Sequence, residues 1–459
     1  MEITSESNNQ MKGLRVILFP VPLQGHINPL IQLADILYYW GFLISIVQTD
    51  FNSINPSTYP HSDFHSIPLS LSETDSVTGD VIAFVLKLNS CCTIPFRECF
   101  SSILSDPSKS RVACLITDAV LYFTQAVADE FNIRRLALRT SSICSFLAFA
   151  ALPLLREKCY IPLQESQLEE PIPELAPCKI KDIHMIKTGN PDDIFRFITS
   201  MVRGTKASSG VIWNTFEDLE RTKLAEFSQE FQVPVFPIVP FHKYCPAFSS
   251  SLLEPDESSL SWLDKQATNS VICVSFGSLA VINEKEFREI GWGLVNSKQP
   301  FLWVVHPGLV PGAQRLDPLL EGFLQMAGER GRVVKWAPQQ AVLAHRATGG
   351  FWTHGGWNST LESICEGLAM ICQPVFGDQR VNTRYVSDVW RVGIHLENRI
   401  ERGEIERAIR RLMAGEEGEE MRGRIWSLKE KGEACLRPGG VSYKSLERLA
   451  SYISEVLSN

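Results

Sequence analysis

The chain has no C-x-x-C pair, no basic-then-apolar leader and no apolar run of membrane-spanning length. Its twelve cysteines are scattered, with only Cys91 and Cys92 adjacent, so neither a zinc site nor a disulfide framework is signalled. Buried, reduced thiols are the expectation. The polar opening Met1 to Gly13 and the missing apolar run make membrane insertion unexpected and a cytoplasmic location expected. Excess positive charge is missing as well: 44 Lys+Arg stand against 52 Asp+Glu, net −8, which leaves no basic field to draw in nucleic acid. G-x-G-x-x-G, G-x-x-x-x-G-K-[ST] and H-E-x-x-H are all absent, which speaks against a dehydrogenase, a P-loop NTPase and a zincin.

What remains is ordinary globular composition, 44% hydrophobic and 21% charged over 459 residues, a length beyond one hydrophobic core. Arg15–Phe19 reads as a buried strand, followed by a loop and by a helix capped at Asn28-Pro29, with Leu30, Leu33, Ala34 and Leu37 on one face. Further strands are expected at Leu43–Thr49, at Ala113–Ile116 ending at Asp118, and at Arg135–Leu138 ending at Thr140-Ser141. Around Cys245 to Ser259 the composition turns to Pro, Ser and acidic residues, as in an interdomain connection. The alternation then restarts, with strands expected at Ser270–Phe276, Phe301–Val305, Arg332–Lys335, Gly350–Thr353 and Met370–Cys372. The pattern predicts α/β architecture: a tail at 1–13, a Rossmann-like domain at 14–245, a linker at 246–260 and a second Rossmann-like domain at 261–459. The charged, helical last segment is expected to pack back on the first domain.

The richest stretch runs from Trp336-Ala-Pro-Gln-Gln340 through Phe351-Trp-Thr-His-Gly-Gly-Trp-Asn-Ser-Thr-Leu-Glu362 to Phe376-Gly-Asp-Gln379. A strand ends at Thr353-His354, two glycines permit close backbone approach, and Asn358-Ser359 opens a helix whose free N–H groups suit a pyrophosphate. Trp336 offers a flat face for a base, Glu362 can accept from ribose hydroxyls, and Asp378 and Gln379 can read sugar hydroxyls. At the other end of the chain, His26 follows the first strand, where ligands of parallel sheets bind, and its imidazole can take a proton from a hydroxyl. Asp118, also at a strand end, can hold the other ring nitrogen. Taken singly, His26 would more often be a surface histidine, Trp336 a packing residue and Asp118 a helix cap. The flanking Gln24-Gly25 and Asn28-Pro29 reverse the odds for His26, and the whole signature tells against the plain readings of Trp336 and Asp118. Asn358-Ser-Thr360 matches a glycosylation sequon, but it has this better use.

The 336–379 stretch closely resembles the secondary-product signature of plant family 1 UDP-glycosyltransferases, and the likeness extends from Phe19-Pro-Val-Pro-Leu-Gln-Gly-His-Ile-Asn-Pro29 to the C-terminal helix. The resemblance implies a GT-B fold, two Rossmann-like domains facing across a cleft, and inverting transfer without a covalent sugar intermediate. It implies that Trp336 stacks on uracil, that the Ala337 backbone pairs with its edge, and that Ser278, His354, Asn358 and Ser359 hold the diphosphate. Glu362 would hold the ribose, with Gln339 also in the UDP-sugar site. Trp357, Asp378 and Gln379 would surround the sugar, and Thr140 would lie near its 6-hydroxyl. The same resemblance implies the His26–Asp118 dyad, and Gln379 is the family's usual mark of a glucose donor. Gly355 stands where cysteine is common and Ala369 where proline is common. Lys206-Ala-Ser-Ser-Gly-Val-Ile-Trp-Asn214 resembles the group that includes steviol-glycoside-modifying enzymes.

The expectation is therefore a glucosyltransferase acting on a hydroxyl of a small lipophilic plant metabolite or its glycoside, a terpenoid glycoside being favoured. Val21, Phe123, Ile143, Phe146 and Phe195 are candidate acceptor walls. Flavonoid, phenolic or cytokinin acceptors are the alternatives, as is a non-catalytic UDP-sugar-binding protein. Partners are a small-molecule acceptor and a UDP-sugar. A monomer is expected, with no metal and no resident cofactor.

Overall fold

Two parallel sheets organise the chain in a computed structural model that describes residues 13–69, 80–183, 186, 188–238, 240–244, 251–311, 317–397 and 400–455. The opening 1–12 and most of the loop from Cys245 to Ser251 lie outside the described residues. Two units emerge: one of residues 1–154, 185–252 and 434–459, the other of 155–184 and 253–433. The chain therefore passes between units four times. Residues 155–184, which precede much of the first unit in sequence, belong by contact to the second.

The first unit holds a seven-stranded sheet in the order β3-β2-β1-β4-β5-β6-β7. Its strands are β1 (Arg15–Phe19), β2 (Leu43–Thr49), β3 (Ser62–Ile67), β4 (Val112–Asp118), β5 (Arg135–Arg139), β6 (Gly210–Trp213) and β7 (Val235–Pro237). Every residue of β1 and β4 is buried, the expected result for central parallel strands covered on both faces. Leu18 pairs with Ile116 across β1 and β4, and their side chains join Leu30, Leu33 and Leu37 in one core. The helix Val441–Ser454 adds Leu446, Leu449 and Ile453 to that core.

The second unit holds β8 (Val271–Ser275), β9 (Phe301–Val304), β10 (Gly331–Val334), β11 (Thr348–Thr353), β12 (Met370–Cys372) and β13 (Gly393–His395), ordered β10-β9-β8-β11-β12-β13. Val274, Trp303 and Trp352 meet Phe287, Phe323 and Leu412 in its core. All strand pairs are parallel in both sheets. Both units are thus Rossmann-like α/β structures, the pair that the GT-B class comprises. In each sheet the strand order reverses once, between β1 and β4 and between β8 and β11, and ligands of open α/β sheets bind outside such reversals.

The first helix differs from its expected start. It spans Gln24–Tyr39, not a segment opening at Asn28-Pro29, and Pro29 lies inside it. A proline this near the N-terminus removes only one early backbone bond, and a Gln24–Asn28 side-chain bond of 2.5 Å braces the same turn. His26 consequently sits in a helical first turn, which fixes its backbone, and not in a loop. Among the described residues no helix is long and apolar enough to cross a membrane.

Candidate active site

In the first unit, three strand ends bring three of the expected residues together. His26 follows β1, Asp118 ends β4 and Thr140 follows β5, and these strands are neighbours in the sheet. His26 Nδ1 lies 2.6 Å from Asp118 Oδ2 and 3.2 Å from Thr140 Oγ1. The histidine side chain keeps 27% of its surface exposed while that of Asp118 keeps 2%, so the acid is enclosed and the imidazole is accessible. Burial by itself would raise the Asp118 carboxyl. His26, the Val120 N–H and Arg139 together outweigh it and hold the group below the ordinary carboxylate range. An ionised, buried carboxylate against one ring nitrogen leaves Nε2 as the nitrogen that can face a substrate.

The expected acceptor walls divide. Val21, Ile143 and Phe146 are fully buried and present no surface. Phe146 is packed against Trp213, Phe227 and Phe231 with the Arg139 guanidinium 4.6 Å above its ring, and the Ile143 N–H donates to the buried Glu220 carboxylate at 2.8 Å. Their apolar character is used in the core, which corrects the expectation for these three. Phe123 and Phe195 are half-buried and keep accessible surface.

In the second unit, the reversal between β8 and β11 gathers the expected diphosphate residues. Ser278 lies in the turn after β8, and His354 follows β11. The two loops touch closely: a Cβ at Gly277 would stand 2.8 Å from His354 Cε1, and one at Gly356 would stand 2.4 Å from His354 Nε2. Glycine is needed there for close approach. Gly355 has φ +79°, and a Cβ on it would meet Thr383 Oγ1 at 2.6 Å, so the residue that departs from the family's common cysteine is the one this backbone accommodates. Burial pushes the His354 imidazole down to about 4, against a Ser275 backbone bond that favours its charge and with His306 adding repulsion. At neutral pH His354 is therefore a neutral hydrogen-bonding group in the free protein, not a cation.

The helix Trp357–Glu366 starts directly after this loop, with Gly356 as its cap and no side-chain capping bond. A helix N-terminus of this kind suits an anion through its dipole and its first-turn N–H groups. Trp357 is only 2% exposed and lies near Trp390. Ser359 and Glu362 face the next helix, Gln339–Ala344: Gln339 donates to Ser359 Oγ at 3.0 Å and to Glu362 Oε2 at 2.7 Å, and Gln340 donates to Glu362 Oε1 at 3.0 Å. Half-buried Trp336 and buried Ala337 lie in the connection leading into this helix, and the Trp336 carbonyl accepts from the Asp256 N–H at 3.0 Å.

Asp378 caps the helix Gln379–Arg384. The Gln379 Oε1 atom accepts from the Val375 and Phe376 N–H groups at 2.8 and 3.0 Å, so the side chain closes its own loop and has its amide nitrogen left to read a ligand. Asn382 donates to the Gly355 carbonyl and to Asp378 Oδ2, both at 3.0 Å, joining this helix to the His354 loop. Sequence reasoning did not single out Gln340, Gly277 or Asn382. The glycine was legible beside Ser278, whereas Gln340 and Asn382 act only through partners that folding supplies. A cavity of about 450 Å³ in this unit, bordered by Asp182, Gln373, Val375 and Arg380, is lined by none of the expected site residues.

The family model described as "UDP-glucoronosyl and UDP-glucosyl transferase" matches residues 74–428. UDP-glycosyltransferase 76B1 of Arabidopsis thaliana is 52% identical over 95% of this chain and 97% of its own length. UDP-glycosyltransferase 76G1 of Stevia rebaudiana is 47% identical over 96% and 97%. The flavonol 3-O-glucosyltransferase UGT76E12 of Arabidopsis thaliana is 43% identical over 95% and 96%. Among solved structures, Phytolacca americana UGT2 complexed with UDP-2fluoro-glucose and pterostilbene superposes with a TM-score of 0.80 at 26% identity, over 96% of this chain and 99% of that one.

Proposed function

The chain belongs to the UDP-glucoronosyl and UDP-glucosyl transferase family, and from that premise we propose an inverting, UDP-glucose-dependent glucosyltransferase acting on a hydroxyl of a small lipophilic metabolite or its glycoside. The single observation that carries the chemistry is the 2.6 Å contact between accessible His26 and enclosed Asp118. His26 Nε2 takes the acceptor proton as the oxygen attacks the anomeric carbon, and Asp118 stabilises the imidazolium that forms. UDP departs as the new bond forms, so configuration inverts and no sugar–enzyme bond arises. The helix N-terminus at Trp357, Ser278 and neutral His354 receive the diphosphate charge by hydrogen bonding. Glu362 takes the ribose, Trp336 the uracil, and Asp378 with the Gln379 amide nitrogen the glucose hydroxyls. Resident metal or cofactor chemistry has no part in this scheme.

For the acceptor, a terpenoid glycoside is favoured by the resemblance of the 206–214 segment and supported by the Stevia relative. A flavonol is the second reading, supported by the Arabidopsis flavonol glucosyltransferase. Incubation of the protein with UDP-glucose and a library of terpenoid glycosides, flavonols, simple phenols and cytokinins, read by mass spectrometry, tests both. Products gaining one hexose, with a β-anomeric linkage by NMR, are expected. Retention of the α configuration would overturn the displacement scheme, and hydrolysis of UDP-glucose without transfer to any acceptor would overturn the activity.

A further inference from the structure

The short helix Gln379–Arg384, with Asp378 at its start, carries the residues proposed to read the sugar, and five of its six residues are buried. It is six residues long and runs into a π-helical turn, Tyr385–Val389, closed by a bond from the Trp390 N–H to the Tyr385 carbonyl at 2.8 Å. A π-turn breaks the regular hydrogen-bond ladder at this point. On one side it borders the cavity of about 450 Å³, and packing there does not set its place.

A charged tie from about two hundred residues away in sequence adds to the local bonds of Gln379 and Asn382. Arg380 and Arg384, one turn apart on the same face, both grip the 3₁₀ turn Ile180–Asp182. Arg380 donates to the Lys181 carbonyl at 2.9 Å. Arg384 makes a two-pronged pair with Asp182, Nε to Oδ2 at 2.9 Å and a terminal nitrogen to Oδ1 at 3.1 Å, with the two side chains 5% and 2% exposed. Asp388 and Glu397 complete the shell around Arg384 at 2.9 and 3.1 Å. A planar, bidentate pair fixes direction as well as distance. A buried ion pair of this kind seldom stabilises a fold more than apolar packing would, so what it provides here is a defined position.

We propose that Asp182 is a positioning residue for the donor sugar: through Arg384 it sets the helix that presents Asp378 and Gln379. The inference rests on the proposed role of Asp378 and Gln379 as sugar contacts. Because Asn382 of the same helix bonds the Gly355 carbonyl, the tie also reaches the edge of the diphosphate loop. The uracil and ribose residues stand on other elements, and binding of UDP alone depends on the tie far less than binding of the sugar.

Two variants test this, Asp182→Asn, which keeps the size but removes the charge and one of the two accepting oxygens, and Asp182→Leu/Arg384→Leu, which removes both ends and leaves neither buried unpaired. Full-length protein is assayed with UDP-glucose and UDP-galactose, and UDP is titrated calorimetrically. In both variants kcat/KM for UDP-glucose is expected to fall roughly 10- to 100-fold, the scale of a small misplacement, with most of the loss in KM and with discrimination between the two sugars reduced. UDP affinity is expected to change less than about threefold, and the amides of 379–384 to exchange faster with deuterium. Native donor discrimination and KM in either folded variant would overturn the proposal. Failure of the unmodified protein to use UDP-glucose would instead overturn the proposed function, and the two failures appear in different samples.

Discussion

His26 Nδ1 and Asp118 Oδ2 stand 2.6 Å apart across the one point where the strand order of the first sheet reverses. The helix Gln24–Tyr39 fixes one partner and the end of β4 the other, so the pair is in place before any ligand arrives. His26→Ala is expected to lose about 10²–10⁴-fold in transfer rate, the usual contribution of a general base. UDP affinity should be nearly unchanged, because the residues proposed to hold UDP belong to the other unit. Asp118→Asn should lose no more than His26→Ala, and the double variant no more than the worse single one, since the two act as one device. Wild-type turnover by His26→Ala on an alcohol acceptor, measured where chemistry limits the rate, would refute the dyad.

Donor choice is proposed to turn on how Gln379 is held. Its carbonyl oxygen is occupied by two backbone N–H groups, which leaves the amide nitrogen as the donor toward a sugar hydroxyl. The unmodified enzyme should therefore prefer UDP-glucose over UDP-galactose, which differ only at the 4-hydroxyl. Gln379→His cannot accept both backbone bonds and keep a donor in the same place. The preference should narrow or reverse by roughly tenfold, the value of one misplaced polar contact. Initial rates with each donor at a fixed acceptor concentration decide this, and equal rates in the unmodified enzyme would defeat it.

Central strands were legible because burial on both faces writes itself as continuous apolar runs, as in Arg15–Phe19 and Val271–Ser275. The strands that escaped are mostly edges. β3 reads Ser-Asp-Phe-His-Ser-Ile and is half-exposed, while β7 and β13 are three residues each, too short to show a period. The site follows the same division. His26, Asp118, His354 and Gln379 lie beside strand ends or glycines, and local sequence marks them. Phe146 and Ile143 were misjudged because an apolar residue near a site and one in the core look alike until packing is known. Asp182 carried no signal at all, since its partner Arg384 is brought to it only by the fold.

Turnover should survive chelation. The diphosphate charge is proposed to be met by the helix start at Trp357, by Ser278 and by His354, and among the described residues no three His, Cys, Asp or Glu side chains gather as metal ligands. Incubation with excess EDTA is expected to leave the initial rate unchanged, and added magnesium or manganese to raise it little. A large loss on chelation that either ion restores would show that the donor phosphates need a cation.

Glu220 is a carboxyl 3% exposed that receives the N–H groups of Ile143 and Cys144 at 2.8 and 3.1 Å and the Thr215 hydroxyl at 2.7 Å. It thereby caps the helix Ile143–Ala150, which begins just after Thr140. Burial pushes its pKa from 4.5 to about 7, and the three donors only partly oppose the shift. An acid whose folded pKa is raised binds its proton more tightly in the folded state. Its contribution to stability is thus complete below the unfolded value near 4.5, declines as pH rises toward 7, and is flat above. At about 1.4 kcal/mol per pH unit, that interval corresponds to about 3 kcal/mol. Glu220→Gln keeps an acceptor for the two N–H groups and presents an amide to the Thr215 oxygen, but it cannot ionise. Its unfolding free energy should therefore decline less between pH 5 and pH 8 than that of the unmodified protein, by an amount of this order. Urea unfolding at both pH values measures the difference, and parallel declines in the two proteins would show that Glu220 does not titrate in this range.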